Sequence, residues 1–408
     1  MNDDMTLVVS DLQRTQNGNR LETSVAVRMG DDRHRLSLFH GGDFGPLENS
    51  APEFDSFVTL LLIPAMARDM RIVVEGSVQA QRLDGMRRGL QTLLSAVNPE
   101  WRHVPIDADA RTEAHCTDPS KGTAMGMSCG IDSLYAFMDM QRPEVAEDLR
   151  VKLLLHNDVG AHTDKKTFQH HRDTAQRFAS EAGLPFISIE CDLKRYYGKR
   201  FIHSHPLRNA GAAMTVEPLF HRFLYPKAND NVFPKPFDRE TGLDAMELSI
   251  LPQLDTNTHA YLCHGAQMQR ISKTKLVMSE PLAHRYLTVC TREYDEQRGK
   301  PNCGRCMKCA RALFYADANG VLAHFSETFD IEAFQRNKRH ALLRLLRYSV
   351  LDRKGEEERE ALAYLFEQNY DMPLWFKPFR KAVGVSDVDK NTAPYRPAPA
   401  SFQNSENP

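Results

Sequence analysis

The stretch Ala124-Met125-Gly126-Met127-Ser128-Cys129-Gly130-Ile131-Asp132-Ser133-Leu134 decides how this chain is read. Ala124 to Met127 is a short apolar run with strand character and Leu134 to Met140 is helical, so Ser128 to Ser133 is a strand-to-helix junction. Small residues at such a junction let backbone N–H groups approach an anion, and the positive end of the helix dipole favours negative charge. Ser128 and Ser133 add hydroxyl donors, while Asp132, which would repel a phosphate directly, either caps the helix or engages a Mg²⁺. The junction is a candidate phosphate loop made of Ser128, Cys129, Gly130, Ile131, Asp132 and Ser133. The competing reading is an N-capped helix whose Ser and Asp side chains bind only their own backbone. Cys129 is open to two readings of its own: an inert buried thiol, or a reactive one whose pKa falls at a helix start.

Downstream, Val151 to Leu155 and Phe186 to Ile189 are further apolar runs. Between them Asp164 to Ala182 places Phe168, Ala175, Phe178, Ala179 and Ala182 at helical spacing before Gly183 and Pro185 end the pattern. A β-α-β-α-β order predicts an α/β fold with a parallel sheet and right-handed crossovers. His156-Asn157-Asp158 follows the second strand at the carboxyl edge, where open α/β sheets bind ligands, which makes His156 a candidate nucleotide contact. His203-Ser204-His205 and Asn209 to Ala213 read as a loop and helix start facing the same cleft.

Upstream, Thr6 to Ser10, Glu22 to Arg28 and His34 to Phe39 read as strands, with a turn at Asn17-Gly18-Asn19. Helical patterns cover Pro52 to Ala67 and Ala80 to Val97, with a strand at Arg71 to Val74 between them. Residues 1–110 are thus expected to form a small α+β domain, and the polar stretch Asp107 to Pro119 its boundary. Residues 111–325 form the expected nucleotide-binding domain, in which 226–260 read as a long loop. Helices at Met307 to Asp317 and Ile331 to Val350 lead into a helical extension over 326–388, and 389–408 read as a disordered tail.

Cys303-Gly304-Arg305-Cys306-Met307-Lys308-Cys309 spaces three thiols three residues apart, and Cys290 lies thirteen positions earlier. Four thiolates close a tetrahedral Zn²⁺ shell, with Gly304 letting backbone N–H groups turn toward sulfur. An iron–sulfur cluster uses the same ligands, and a metal-free cluster is the third reading. Cys116, Cys191 and Cys263 are scattered and read as core residues.

Composition narrows the function. The 408 residues carry Lys+Arg 52 against Asp+Glu 54, a net charge of -2, with 41% hydrophobic and 26% charged residues. That balance fits an ordinary globular protein and argues against a wholesale polyanion binder or a disordered chain. The longest apolar run, Phe57 to Ala67, is broken by Pro64 and falls short of the roughly 20 residues that span a bilayer. Met1-Asn2-Asp3-Asp4 lacks the cationic start of a secretory signal, so a cytoplasmic location with reduced thiols is expected. Basic clusters such as Arg336-Asn337-Lys338-Arg339-His340 lack interleaved aromatics and read as solvated faces, so a nucleic-acid partner is not expected.

The loop Ser128-Cys129-Gly130-Ile131-Asp132-Ser133 resembles Ser-Gly-Gly-x-Asp-Ser of the PP-loop ATP pyrophosphatases, with Cys129 in place of the first Gly. Those enzymes have an adenine-nucleotide α-hydrolase (HUP-like) fold and cleave ATP between the α and β phosphates, activating a substrate oxygen as its adenylate. A PP-loop followed by Cys…Cys-Gly-x-Cys-x-x-Cys resembles the 7-cyano-7-deazaguanine synthases, in which four Cys bind zinc. Ser272-Lys273-Thr274-Lys275-Leu276-Val277 is similar to that family's Ser-Lys-x-Glu-Ile-Val, with Lys275 where Glu is usual. The resemblance spans residues 122–322 and implies ATP, Mg²⁺ and Zn²⁺ as cofactors. It further implies Asp132, Ser133 and Lys273 as catalytic residues and a small heterocyclic carboxylate as substrate. The additional N- and C-terminal segments are similar to larger relatives in anti-phage defence operons, which implies a protein partner, and assembly into an oligomer is left open. The expected activity is adenylation followed by nitrogen transfer. The alternatives are tRNA thiolation by the same adenylation step and a non-catalytic nucleotide-binding regulatory protein.

Overall fold

A computed structural model describes residues 5–112, 119–161, 164–197, 201, 203–228, 243, 246–351 and 355–380. The expected tail (389–408), much of the expected loop 226–260, and Cys116 lie outside them. The first half runs β1 (Thr6–Asn17), β2 (Arg20–Met29), β3 (Asp32–Gly42), α1 (Asp55–Arg68), β4 (Arg71–Gln79), α2 (Ala80–Gly85), a π-helical turn (Met86–Leu90), α3 (Gln91–Val97) and β5 (Ile106–Arg111). The second half begins β6 (Thr123–Gly126), α4 (Ile131–Met140), β7 (Val151–Asp158), α5 (Lys165–Glu181), β8 (Phe186–Cys191), α6 (Lys194–Tyr197), α7 (His205–Met214) and β9 (Arg222–Pro226). It continues with α8 (Glu247–Ile250), β10 (Ala260–His264), α9 (Arg270–Met278), α10 (Pro281–Tyr286), α11 (Met307–Ala318), α12 (Ile331–Leu351) and α13 (Glu356–Glu367). Among the described residues, no helix is long and apolar enough to cross a membrane.

Among the described residues, ten strands join one mostly parallel sheet in the order β10-β9-β6-β7-β8-β3-β2-β1-β4-β5. The strands β10, β9, β6, β7 and β8 are mutually parallel, as the strand and helix alternation requires. The β1-β2-β3 meander then meets this array through an antiparallel pairing of β3 with β8, from Leu38 opposite Cys191 to Gly42 opposite Ile187. The two halves that read as separate units in the sequence therefore share a single sheet.

Alternation along the central strands builds two cores. Ala124, Leu153, Leu155, Ile187 and Ile189 face a layer that includes α1, α7 and the N-terminal strands. Met125, Leu154 and Phe186 face the opposite layer with α4, α5, α9 and α11 to α13. Helix α1 is buried from Asp55 to Met66 because it is sandwiched between the sheet and α7, which explains its almost uniformly apolar sequence.

Polar ties cross between the halves. Arg82, fully buried, donates to Asp55 at 2.9 Å and to the Leu254 carbonyl at 2.9 Å, and it also pairs with Glu217, which accepts from the Tyr261 hydroxyl. Buried His40 on β3 has Nδ1 3.0 Å from the Leu21 carbonyl and Nε2 2.7 Å from the Thr215 hydroxyl beyond α7.

Four elements differ from expectation. Ile106–Arg111 is a strand, although its polar residues read as the start of a linker; it pairs only with β4 at the edge of the sheet, where exposed polar side chains are tolerated. The helix expected as one piece over Ala80 to Val97 contains the π-helical turn. Strands β9 and β10 flank the expected loop and were hidden by their shortness.

Candidate functional site

The phosphate-loop candidate leaves the sheet at the carboxyl end of β6. Met127 extends the ladder by donating to the Leu155 carbonyl at 2.7 Å, and its own carbonyl lies 2.8 Å from Nδ1 of His156. The His156 ring is buried and stacks on Phe168, and its contact with Met127 holds the loop's backbone. Gly130 occupies the N-cap of α4 and no side chain caps the helix, leaving the first-turn N–H groups available to an anion. Ser133 Oγ lies 3.2 Å from Ser128 Oγ and donates to the Gly130 carbonyl at 3.2 Å, while Ser128 Oγ accepts from Gly130 N–H at 3.3 Å.

Asp132 does not cap the helix. Its Oδ2 accepts from Arg270, and its Oδ1, buried without a hydrogen bond, lies 3.9 Å from Lys273 Nζ. Against the cost of burial, the Asp132 carboxylate holds the Arg270 guanidinium firmly charged. Lys273 is fully buried on α9 and donates to the Lys227 carbonyl at 2.7 Å, just past β9. The chain after β10 passes so close that a Cβ on Gly265, at φ +94°, would stand 3.2 Å from Nζ. Lys275, by contrast, sits over the Tyr364 ring at 4.8 Å.

Cys129 adopts φ +54°, a left-handed conformation that L side chains avoid and glycine accepts freely. Its side chain is fully buried in the core with Met127, Ile131 and Leu134, and burial pushes its thiol pKa up, opposite to the fall expected of a reactive thiol at a helix start. The Cys129 carbonyl accepts from Thr288 N–H at 2.8 Å.

Residues that the sequence did not single out also converge here. Arg270 lies one turn before Lys273 on the same helix, and that spacing was the available signal. Asp139 and His264 pair at 2.7 Å beside Tyr135. Of the other polar residues that read as facing the cleft, His205 pairs with the Tyr225 hydroxyl, and Asn209 accepts from Asn157 at 3.2 Å.

The second centre lies on the same side of the sheet. Cys290, Cys303, Cys306 and Cys309 are all buried, and their sulfur atoms lie within 4.8 Å of one another. The separations are 3.9 Å for Cys290 to Cys306, 4.0 Å for Cys303 to Cys309 and 3.3 Å for Cys306 to Cys309. A tetrahedral ion with metal–sulfur bonds of about 2.3 Å places its ligands roughly 3.8 Å apart, so the group could hold a metal ion such as zinc. An iron–sulfur cluster interposes irons and sulfides and needs wider spacing. Backbone donors already face the sulfurs: Arg305 and Cys306 N–H approach Cys303 Sγ at 3.5 and 3.4 Å, and Cys309 N–H approaches Cys306 Sγ at 3.4 Å at the start of α11. The Cys303 thiol is driven strongly down, first by hydrogen bonding from Cys290 and then from Cys306 and Cys309. Gly304, at φ +64°, packs so tightly on the start of α12 that a Cβ would stand 2.2 Å from the Asp330 carbonyl.

Asn302, fully buried, clasps this region. Its Oδ1 accepts from Val289 and Cys290 N–H at 2.8 and 3.0 Å, and its Nδ2 donates to the Leu287 and Thr328 carbonyls at 2.7 and 3.0 Å. No signal in the sequence set it apart from a surface Asn. No family model, curated protein or solved structure matches the chain.

Proposed function

We propose that the chain is an ATP-dependent enzyme that adenylates a carboxylate or carbonyl oxygen and passes the activated group to a nitrogen nucleophile. The observation that carries this reading is the uncapped start of α4 at the carboxyl edge of β6, where two hydroxyls and two cations converge around Asp132. In the reaction the substrate oxygen attacks the α-phosphorus and pyrophosphate leaves. The nitrogen then attacks the activated carbon, loses a proton, and AMP leaves. Arg270 and Lys273 offset charge on the departing pyrophosphate, the α4 N–H groups hold a phosphate, and Ser128 and Ser133 orient it. The Oδ1 of Asp132, buried and without a hydrogen bond, fits a Mg²⁺ ligand, and that ion when bound neutralises phosphate charge. The four Cys are assigned to zinc in a structural role, in keeping with a reducing cytoplasm.

By the sequence resemblance the preferred substrate is a deazapurine carboxylate, with an amine of a partner protein in anti-phage defence as a second acceptor. Thiolation is less well supported. Among the described residues outside the four-cysteine cluster, burial pushes the thiols of Cys129 and Cys191 up, and that of Cys263 up to about 12, whereas a sulfur carrier needs an accessible thiolate.

The test incubates the protein with ATP, Mg²⁺, 7-carboxy-7-deazaguanine and ammonia. AMP and pyrophosphate should appear in equal amounts, and Ser133→Ala or Lys273→Met should lower their release at least a hundred-fold without unfolding. ADP and phosphate as products would sink the adenylation reading. ATP binding without turnover would favour the regulatory one.

A further inference from the structure

A cavity of about 270 Å³ lies away from both centres, where the end of α1, the segment after α3, the end of α6 at Tyr196 and Tyr197, and His203 and Ser204 before α7 meet. Its walls are aromatic. Trp101, Tyr196 and Tyr197 line it together with the apolar edge of α1, and its polar neighbours are Arg68, Asn98, Glu100, His203 and Ser204, so one cation and one carboxylate face it and leave no net charge to recruit an ion.

Several of its polar atoms are already committed. The Tyr197 hydroxyl donates to the Leu60 carbonyl at 2.6 Å, and the Tyr196 hydroxyl pairs with His34. Arg68 donates to the carbonyls of Pro64 and Tyr196, each at 3.0 Å, which pins the guanidinium across the cavity's edge. Others are not. Among the described residues, the Trp101 indole N–H, the His203 imidazole and the Asn98 amide nitrogen have no hydrogen-bond partner.

We propose that this cavity binds a small, uncharged, planar heteroaromatic molecule of about nucleobase size. The volume sits just below the roughly 300 Å³ at which ligand pockets begin, enough for one bicyclic ring and too little for a nucleoside triphosphate or a peptide segment. Ring faces on the wall favour offset or edge-on aromatic contact, and the free donors suit ring nitrogens or a carbonyl. A phosphorylated ligand is disfavoured because Arg68 is the one guanidinium in the lining among the described residues, and two carbonyls hold it. The cavity also bridges elements of both halves, with Ser204 at its edge accepting from Arg208 at 2.7 Å, which in turn donates to the Val159 carbonyl past β7. A bound ring therefore contacts the N-terminal half and the support of the carboxyl edge at once.

The protein has two tryptophans, Trp101 and Trp375, so Trp375→Phe leaves Trp101 as the sole indole reporter. In that background adenine should change Trp101 fluorescence saturably, and cyclohexanecarboxamide, aliphatic and of similar size, should not. The change should persist with α,β-methylene-ATP present, which keeps the phosphate loop occupied. Ala67→Phe, at an exposed position on the lining, should weaken adenine binding at least ten-fold by filling the space. On the unsubstituted protein, saturation transfer to the adenine ring protons should likewise survive the ATP analogue. The proposal is overturned by a non-saturable response, by an equal response to the aliphatic amide, by an unchanged Ala67→Phe variant, or by signals that vanish once the analogue is bound. The last outcome would assign adenine to the phosphate loop.

Discussion

The cysteine cluster and the candidate phosphate loop share one face of one sheet and are assembled in opposite ways. The four sulfurs come from residues 290–309, and their backbone donors come from the same loop and the first turn of α11. The candidate loop supplies its own hydroxyls and helix start, but the cations beside it arrive from α9, 138 residues beyond Asp132 in the case of Arg270, and its carbonyl tether comes from β7. Coordination chemistry is short-ranged and demands its ligands together, so a metal centre can be nearly self-contained. Charge stabilisation tolerates donors from anywhere the fold can deliver them. The two sites still touch through one bond, Thr288 N–H to the Cys129 carbonyl, two residues before Cys290.

Stripping the metal tests how self-contained the first centre is and should have the largest effect. Four-thiolate binding contributes on the order of 10 kcal/mol, so chelation or Cys306→Ser should unfold the region around α11. Elemental analysis should find about one zinc per chain before treatment, and circular dichroism should follow the loss. Nucleotide affinity should fall in parallel, because Thr288 would release the underside of the loop. Unchanged nucleotide affinity after metal loss would separate the two sites completely.

Acid attacks the shared sheet and spares neither site. Burial holds His40 down to about 4, while the unfolded chain binds that proton near 6.5. Between those values the unfolded state carries more protons, so stability is full above pH 6.5 and falls progressively toward pH 4, by about 3 kcal/mol in total from this group. Urea titrations from pH 7 to 4 should show that slope, and His40→Gln should flatten it.

Gly304→Ala probes the closure of the metal loop. A left-handed alanine costs about 1–2 kcal/mol and the clash with the Asp330 carbonyl adds to it, so a loss of roughly 2–4 kcal/mol and faster metal release to a chelator are expected. Ser133→Ala should cost no more than about 1 kcal/mol in thermal unfolding while nearly abolishing AMP formation, since its hydroxyl meets only loop atoms. Cys129→Gly should be close to neutral: relief of the left-handed conformation, about 1 kcal/mol, is offset by the loss of a small buried side chain, about 1–2 kcal/mol. AMP formation should be kept or raised. A fall with nucleotide affinity intact would give the thiol a chemical role and revive thiolation.

Much of this was legible in the residues, and what was missing has a physical pattern. The four-cysteine cluster was readable because closely spaced thiols carry their chemistry locally, with no distant partner needed to complete it. The strand-to-helix junction was readable because local geometry limits which residues fit it. Arg270 was missed because an arginine beside a lysine on a short helix looks like a solvated face until the helix is docked. Asn302 was missed because its burial is decided by Val289 and Thr328, which the sequence does not place beside it. The pairing of β3 with β8 was missed for the same reason: hydrogen bonding between strands is backbone chemistry, and side-chain pattern does not identify the partner. His156 stands between these cases, since its location at the carboxyl edge was readable and its contact with the Met127 carbonyl was not.

The β3–β8 pairing also governs the order of events at the ribosome. Residues 6–111 emerge first and can pair among themselves, but the outer edge of β3 has no neighbour until residues 186–191 follow. At about 5–20 residues per second, that edge stands open for roughly 7–30 s in every nascent chain. Residue 111 is therefore a poor place to cut: an isolated N-terminal fragment would keep the sticky edge for good, and the remainder would present β8 in the same state. The open edge is exposed while residues 43–185 are being added, before Arg270, Lys273 and the four clustered cysteines have been made.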